Sequence, residues 1–200
     1  MRREVKDVFK CLATSHYLVT HPVVWSKNGS KFLFLAERVI NTELKPEQEF
    51  GEQVLNKFQY QHTLGEGHSK FYNLDVYVVD VEAKTLSKLS GTPDDLVLLY
   101  PSFIGDQGDA LLLQGIDSTK FVSGLAFCNN KPSSIFVVND PKYEIIAEKK
   151  DKKTDEPSQI AEKSQFKKVS DEPIALMPFS SPSGSQICYL YSHVYKEQHK

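Results

Sequence analysis

The sequence has few cysteines and almost no excess charge, and each shortage argues against a class of protein. Its 200 residues include three cysteines, Cys11, Cys128 and Cys188, which are far apart and form no CxxC pair. This pattern argues against a disulfide framework or a zinc site and predicts reduced, half-buried thiols in a cytoplasmic protein. The formal net charge is -2 with mixed signs, so no broad field favours nucleic acid or an anionic membrane.

Long apolar runs are also missing. The longest, such as 32–36 and 110–113, have the length of β-strands and fall far short of the roughly 20 residues of a membrane-spanning helix. The basic first residues are not followed by the apolar segment of a signal peptide. Because 40% of the residues are hydrophobic, the chain is not disordered as a whole. We therefore expect a soluble cytoplasmic protein with no membrane partner.

Motifs for catalysis and ligand binding are absent or incomplete. A nucleophile elbow needs Gly-x-Ser-x-Gly, but Ser123 and Ser183 each have one neighbouring glycine without the second. The segment GEGHSK at 65–70 matches neither the phosphate-binding loop nor the dinucleotide fingerprint. The histidines, which lack zincin spacing, are His16, His21, His62, His68, His193 and His199. We expect no catalytic residue, no cofactor, no cofactor-binding residue and no metal ligand in this chain.

One pattern occurs three times and organises the sequence. Each copy runs from a proline through a polar turn to a glycine, then into an apolar run that begins three residues later. The copies start at Pro22, Pro101 and Pro178, and their glycines are Gly29, Gly108 and Gly184. Because glycine adopts positive φ at low cost, each copy predicts a β-hairpin. Trp25 precedes the first turn, and we expect it to pack in the core beneath that hairpin.

A second pair of strands is predicted after each of the first two hairpins. The run at 76–81 leads to another at 85–89, and the run at 135–140 is followed by 166–169. Two hairpins make a four-stranded antiparallel sheet, the blade of a β-propeller. The predicted fold is therefore all-β: a partial β-propeller with about two four-stranded antiparallel blades plus the start of a third, and long polar loop insertions.

These patterns divide the chain into four segments. They are an N-terminal lead-in at 1–20, a blade at 21–91 with an insertion at 38–73, a blade at 92–172 with a charged loop at 141–165, and the opening hairpin of a further blade at 173–200. The insertions explain a repeat that is longer than the roughly 40–45 residues of a compact blade. The charge run in the second insertion mixes both signs, which favours a solvated loop over a nucleic-acid patch.

The blade count predicts an open structure. Propellers typically close with about 4–8 blades, and fewer leave apolar faces and strand edges exposed. We therefore expect the sequence to be part of a larger protein, or to close by binding a partner such as further copies of itself.

Several motifs, in this order and spacing, resemble those of acylaminoacyl peptidases, members of the prolyl oligopeptidase family of serine hydrolases. The motifs are HPVVWS at 21–26, FLAE at 34–37, FQY at 58–60, GE at 65–66, VYVVDV at 76–81 and GLAFCNNKPSSI at 124–135. The chain departs from the family at Leu64, where tryptophan is usual, and near Lys131, where arginine is common. The resemblance covers about 21–191, apart from the loop at 141–165.

The resemblance implies a seven-bladed propeller that caps an α/β-hydrolase domain and admits only short N-acylated peptides. In this family the hydrolase domain supplies the catalytic serine, aspartate and histidine, and none of them has a counterpart here. The implied function is therefore the substrate-gating propeller of such an enzyme, inactive without the hydrolase domain as its partner. The alternative is a non-enzymatic propeller scaffold that closes by self-association.

Overall fold

A computed structural model describes residues 23–37, 74–106, 108–119, 131–148 and 162–192. Every regular element in these ranges is a β-strand, which confirms the all-β prediction for the described residues. Their strands are β1 (Val24–Trp25), β2 (Lys31–Glu37), β3 (Leu74–Asp80), β4 (Thr85–Leu89), β5 (Leu96–Ile104), β6 (Ala110–Asp117), β7 (Ser133–Asn139), β8 (Tyr143–Glu148), β9 (Phe166–Lys168), β10 (Ile174–Ser180) and β11 (Ile187–Ser192). These ranges hold no helix of the length and apolarity that crossing a bilayer requires.

The strands form two sheets. The first has the order β1-β2-β3-β4-β8, and all its neighbouring strands are antiparallel. The second has the order β11-β10-β7-β6-β5, with β9 also paired to β7. It is mixed, because β10 meets β7 in parallel at Ile174 and Ser133, whereas its other pairs are antiparallel.

The three predicted hairpins are present, and we call them hairpin 1 (β1–β2), hairpin 2 (β5–β6) and hairpin 3 (β10–β11). Their turn glycines, Gly29, Gly108 and Gly184, have φ values of 72°, 71° and 72°. An L-residue with a side chain rarely adopts this conformation, so the backbone favours glycine at each of these positions. The later strand pairs are present too: β3 pairs with β4, and β7 pairs with β9.

The prolines of hairpins 2 and 3 lie inside strands rather than at their beginnings. The strands begin earlier, at Leu96 and Ile174, and the register shifts at Pro101 and Pro178. Proline has no N–H to donate to a neighbouring strand, so a β-bulge accommodates it. The residue before each proline has positive φ, 47° at Tyr100 and 49° at Met177.

Side chains of β6 point alternately into two cores, which places hairpin 2 between hairpins 1 and 3. Leu111 and Leu113 belong to a core that also contains Leu33 and Leu35 of hairpin 1. Leu112 belongs to a second core, against which Ile187 and Tyr189 of hairpin 3 pack. Since successive side chains of a strand point to opposite faces, the hairpins are stacked face to face.

The prediction of a loop at 141–165 is partly wrong, because Tyr143–Glu148 form the strand β8. This strand pairs with the open edge of β4 and extends the first sheet to five strands. The half-buried Tyr143 packs against the core, while Lys88 Nζ lies 3.3 Å from Glu144 Oε2. These contacts and the β-branched pair at 145–146 favour a strand over a solvated loop.

The prediction that Trp25 packs in the core is also wrong. Its side chain is 55% exposed, and its ring centroid lies 4.9 Å from that of Phe32. The alternation along β1 explains the difference: Val24 points toward the core between hairpins 1 and 2, so Trp25 points to the other face. The predicted lead-in at 1–20 and the insertion at 38–73 lie outside the described residues.

Two glycine substitutions test the packing of hairpin 2. A Cβ at Gly108 would lie 2.8 Å from Phe103 Cδ1, whereas a Cβ at Gly29 would meet no atom within 4 Å. Both substitutions impose positive φ on alanine, at about 1–2 kcal/mol each. Only Gly108→Ala adds a clash with a buried ring, at about 1–3 kcal/mol more. In urea titrations, Gly108→Ala should therefore lower the free energy of unfolding more than Gly29→Ala does. Equal decreases in the two variants would contradict this packing.

Candidate functional surfaces

The turns of the three hairpins meet at one end of the structure, which we call the turn end. Lys27 Nζ lies 2.6 Å from Asp106 Oδ1 and donates a hydrogen bond of 3.4 Å to the carbonyl of Pro182. Gly184 approaches hairpin 2 so closely that a Cβ there would lie 3.1 Å from the backbone nitrogen of Gly105. One lysine and one close backbone approach therefore connect all three turns.

Short polar side chains shape these turns. Asn28 Oδ1 accepts hydrogen bonds from the backbone N–H and the hydroxyl of Ser30, at 3.0 and 2.8 Å. In hairpin 3, the backbone N–H of Gly184 donates to the carbonyl of Ser181 at 2.8 Å, and Ser181 Oγ accepts from Gln186 N at 3.1 Å. Such local bonds are the reason asparagine and serine favour turns.

An open cavity of about 560 Å³ lies at the turn end. Its lining residues are Asn28, Ser30, Lys31, Asp80, Glu82 and Asp109. Several lining groups already hold turns in place: Asp80 Oδ1 accepts from Ala83 N at 2.8 Å, and Asn28 and Ser30 bond to each other. The lining contains neither histidine nor cysteine, so it offers no histidine-activated nucleophile of the kind used in acyl transfer.

The candidate serine that lies within the described residues, Ser183, is in the turn of hairpin 3. Its Oγ is 3.1 Å from Ser181 Oγ and 2.7 Å from Ser185 Oγ, and neither neighbour can act as a general base. Ser123, the segment 65–70 and the histidines lie outside the described residues. Within the described ranges, no group of three or more histidine, cysteine, aspartate or glutamate side chains could hold a metal ion.

A buried amide connects hairpins 2 and 3. Gln114 is 2% exposed, and its Oε1 accepts a 3.1 Å hydrogen bond from the backbone N–H of Met177 at the bulge of β10. Sequence reasoning missed this contact. The available signal was a polar residue in the apolar run of hairpin 2, at the position where hairpins 1 and 3 have Leu35 and Leu190.

Hairpins 1 and 2 each have one sheet face that packs against the next hairpin. We call this the forward face, and we use the same name for the equivalent face of hairpin 3. On the second strands it comprises Leu33 and Leu35, then Leu112 and Gln114, then Cys188 and Leu190. The first four are at most 2% exposed, because the next hairpin covers them. On hairpin 3, Leu190 is 59% exposed and Phe179 is 62% exposed. Phe179 lies opposite Cys188 in the strand pair, so both are on this face.

Cys188 departs from the predicted half-buried thiols, because it is exposed and free. Its neighbours in β11, Ile187 and Tyr189, pack toward hairpin 2, so alternation directs Cys188 away from that core. The other two cysteines lie outside the described residues. The forward face of hairpin 3 is thus an apolar surface that the described hairpins leave open.

Two serines with buried hydroxyls, Ser102 on β5 and Ser133 on β7, provide a matched test of polar contacts near hairpin 3. Ser102 Oγ is buried without a hydrogen-bond partner in the described part of the chain, whereas Ser133 Oγ donates to the Ala175 carbonyl at 2.7 Å. Removing an unpaired buried hydroxyl is neutral or stabilising, and removing a paired one costs about 1 kcal/mol. Ser133→Ala should therefore lower the melting temperature while Ser102→Ala should not. The opposite order would contradict these assignments.

Burial of Tyr143 makes stability depend on alkaline pH. Burial raises the pKa of its phenol above the ordinary value of 10.0, so the folded chain keeps a proton that the unfolded chain releases. The free energy of unfolding should then be unaffected below about pH 10 and fall as the pH rises further. Tyr143→Phe should reduce this fall in a pH series of urea titrations. Tyr191→Phe, on a side chain that is 57% exposed, is the control, and equal slopes in both variants would contradict the prediction.

Comparison of the whole sequence with known proteins adds no family assignment: no family model matches the chain, and no curated protein matches it. The assignment of function therefore depends on the residues and the packing described above.

Proposed function

We propose that this chain is the substrate-gating propeller part of a serine hydrolase of the acylaminoacyl-peptidase type. The observation that carries the proposal is the stacking of repeated hairpins through their two apolar faces. In a propeller, four-stranded sheets stack around an axis in the same manner. The hydrolase domain would be the partner that supplies the catalytic residues, and the cytoplasm is the proposed location.

The arrangement of the first strands supports this proposal. β1 contacts β5, and β5 contacts β10, so the opening strands of successive hairpins are neighbours. The series β1–β4 and the series β5, β6, β7 and β9 each provide four antiparallel strands, as two blades would. Hairpin 3 packs on the forward face of hairpin 2, which supports the proposal that it forms the first two strands of a further blade.

Substrate choice follows from the resemblance in sequence. The motifs at 21–26, 34–37, 76–81 and 124–135 suggest an enzyme that releases N-acylated amino acids from short peptides. The turn end and its open cavity, which combine carboxylates with a lysine, supply no catalytic pair of their own. The proposed role of this chain is therefore to restrict access by size.

A second candidate function is a non-enzymatic propeller scaffold that closes by self-association. The exposed forward face of hairpin 3 favours it, since Phe179 and Leu190 are 62% and 59% exposed. A face of this kind is typical of an interaction surface. The two candidates differ in whether a hydrolase domain shares the polypeptide.

The native transcript distinguishes them. The peptidase proposal expects an open reading frame after the codon for Lys200 that encodes Gly-x-Ser-x-Gly, followed by an aspartate and a histidine. The purified full-length product should hydrolyse an acetyl-amino-acid amide and react with an active-site serine reagent. The 200-residue chain should do neither and is the matched control. A stop codon directly after Lys200, or labelling of one serine in the 200-residue chain, would refute the proposal.

A further inference from the structure

Asn28 and Gly29, in the turn of hairpin 1, are the only asparagine and glycine that follow each other in this order in the sequence. Both residues are exposed to solvent. An asparagine before glycine is especially prone to lose its side-chain amide, because glycine has no side chain to shield its backbone nitrogen. The turn of hairpin 1 therefore combines a reactive sequence with access to water.

The reaction needs only the chain and water. The backbone nitrogen of Gly29 attacks Cγ of Asn28 and forms a C–N bond. The side-chain nitrogen leaves as ammonia and takes the proton of the Gly29 N–H. Water then opens the resulting five-membered imide at either of its two C–N bonds, which gives aspartate or isoaspartate. Both products carry a negative charge at neutral pH, which asparagine lacks.

Hydrogen bonds of the folded turn hold both reacting groups in place. The Gly29 N–H donates to the carbonyl of Ser26 at 2.9 Å. Asn28 Oδ1 accepts from the backbone N–H and the hydroxyl of Ser30, at 3.0 and 2.8 Å, and Ser26 Oγ lies 2.9 Å from it. Attack requires the Gly29 nitrogen to leave Ser26 and the Asn28 side chain to rotate. The reaction rate should therefore follow the population of the open turn.

A carboxylate at this position would meet other carboxylates. Asn28 lines the cavity at the turn end together with Asp80, Glu82 and Asp109, with Lys31 as a basic residue beside them. The new charge adds repulsion to this acidic lining. Isoaspartate also lengthens the main chain of the turn by one carbon atom, and β1, which the turn joins to β2, has only two residues. Conversion should therefore weaken the attachment of β1.

We propose that Asn28 is a site of spontaneous deamidation, that the closed turn of hairpin 1 slows the reaction, and that conversion weakens this hairpin irreversibly. Neither the reaction nor its consequence depends on the peptidase activity, so either proposal can fail alone.

Timed incubation of the 200-residue chain in neutral buffer, with and without urea, tests the site. Peptide mapping by mass spectrometry measures the conversion of each asparagine. In urea, Asn28 should convert faster than Asn139, an exposed asparagine that precedes aspartate, and Gly29→Ala should remove most of that difference. This comparison needs no folded variant. Without urea, conversion of Asn28 should be slower by about tenfold or more, because the turn must first open.

A pair of serine variants tests the role of the hydrogen bonds. Ser30→Ala removes the hydroxyl donor to Asn28 Oδ1, so it should speed conversion in the folded chain and leave the rate in urea unchanged. Ser185 is the matched control, because it follows the turn glycine of hairpin 3 as Ser30 follows that of hairpin 1. Ser185→Ala should leave both rates unchanged, and equal effects of the two variants would exclude this role for Ser30.

The other outcomes overturn the proposal. Equal conversion of Asn28 and Asn139 in urea would exclude the site. Equal rates for Asn28 with and without urea would exclude protection by the turn. The converted chain, separated by ion exchange, should unfold at a lower urea concentration than the unconverted chain. An unchanged urea midpoint would refute the weakening of hairpin 1.

Discussion

The structure depends on one constraint: the central strands are apolar on both faces, so each sheet must be covered twice. β6 shows this most clearly, because Leu111 and Leu113 face one core while Leu112 faces another. Each fully buried leucine contributes about 1.5–3 kcal/mol relative to its exposed state. A single two-layer sandwich covers one face of each sheet, whereas a series of stacked hairpins covers both. The turn glycines and the proline bulges adjust the chain to that arrangement.

Much of the strand pattern could be predicted from the sequence, because its signals are local. A polar turn that ends at Gly29, Gly108 or Gly184 and leads into an apolar run defines a hairpin without knowledge of anything distant. The strand at 135–140 was also predictable from its β-branched and aromatic residues, and the repeat indicated a partner strand at 166–169. For the same reason, the lack of a complete catalytic motif could be read directly from residue types and spacing.

The remaining features depend on contacts between residues that are distant in sequence. The position of β8 beside β4 follows from an open sheet edge that composition does not reveal. Trp25 is exposed because of the direction of a two-residue strand, and its hydrophobicity gives no indication of that direction. The bond from Met177 to Gln114 requires two hairpins to be stacked before an isolated glutamine acquires a structural role. The open forward face likewise becomes visible only when the three hairpins are compared in space.

The path of β8 has a consequence for folding. After β7 the chain leaves the second sheet, adds β8 to the first sheet, and then returns to place β9 beside β7. The pairing of β4 with β8 is therefore interrupted along the chain by β5, β6 and β7, and the pairing of β7 with β9 is interrupted by β8. Closing such long loops costs entropy before any contact repays it, so the local hairpins should form early and these pairings late. Once both are made, the two sheets should lose their structure together, as one cooperative unit.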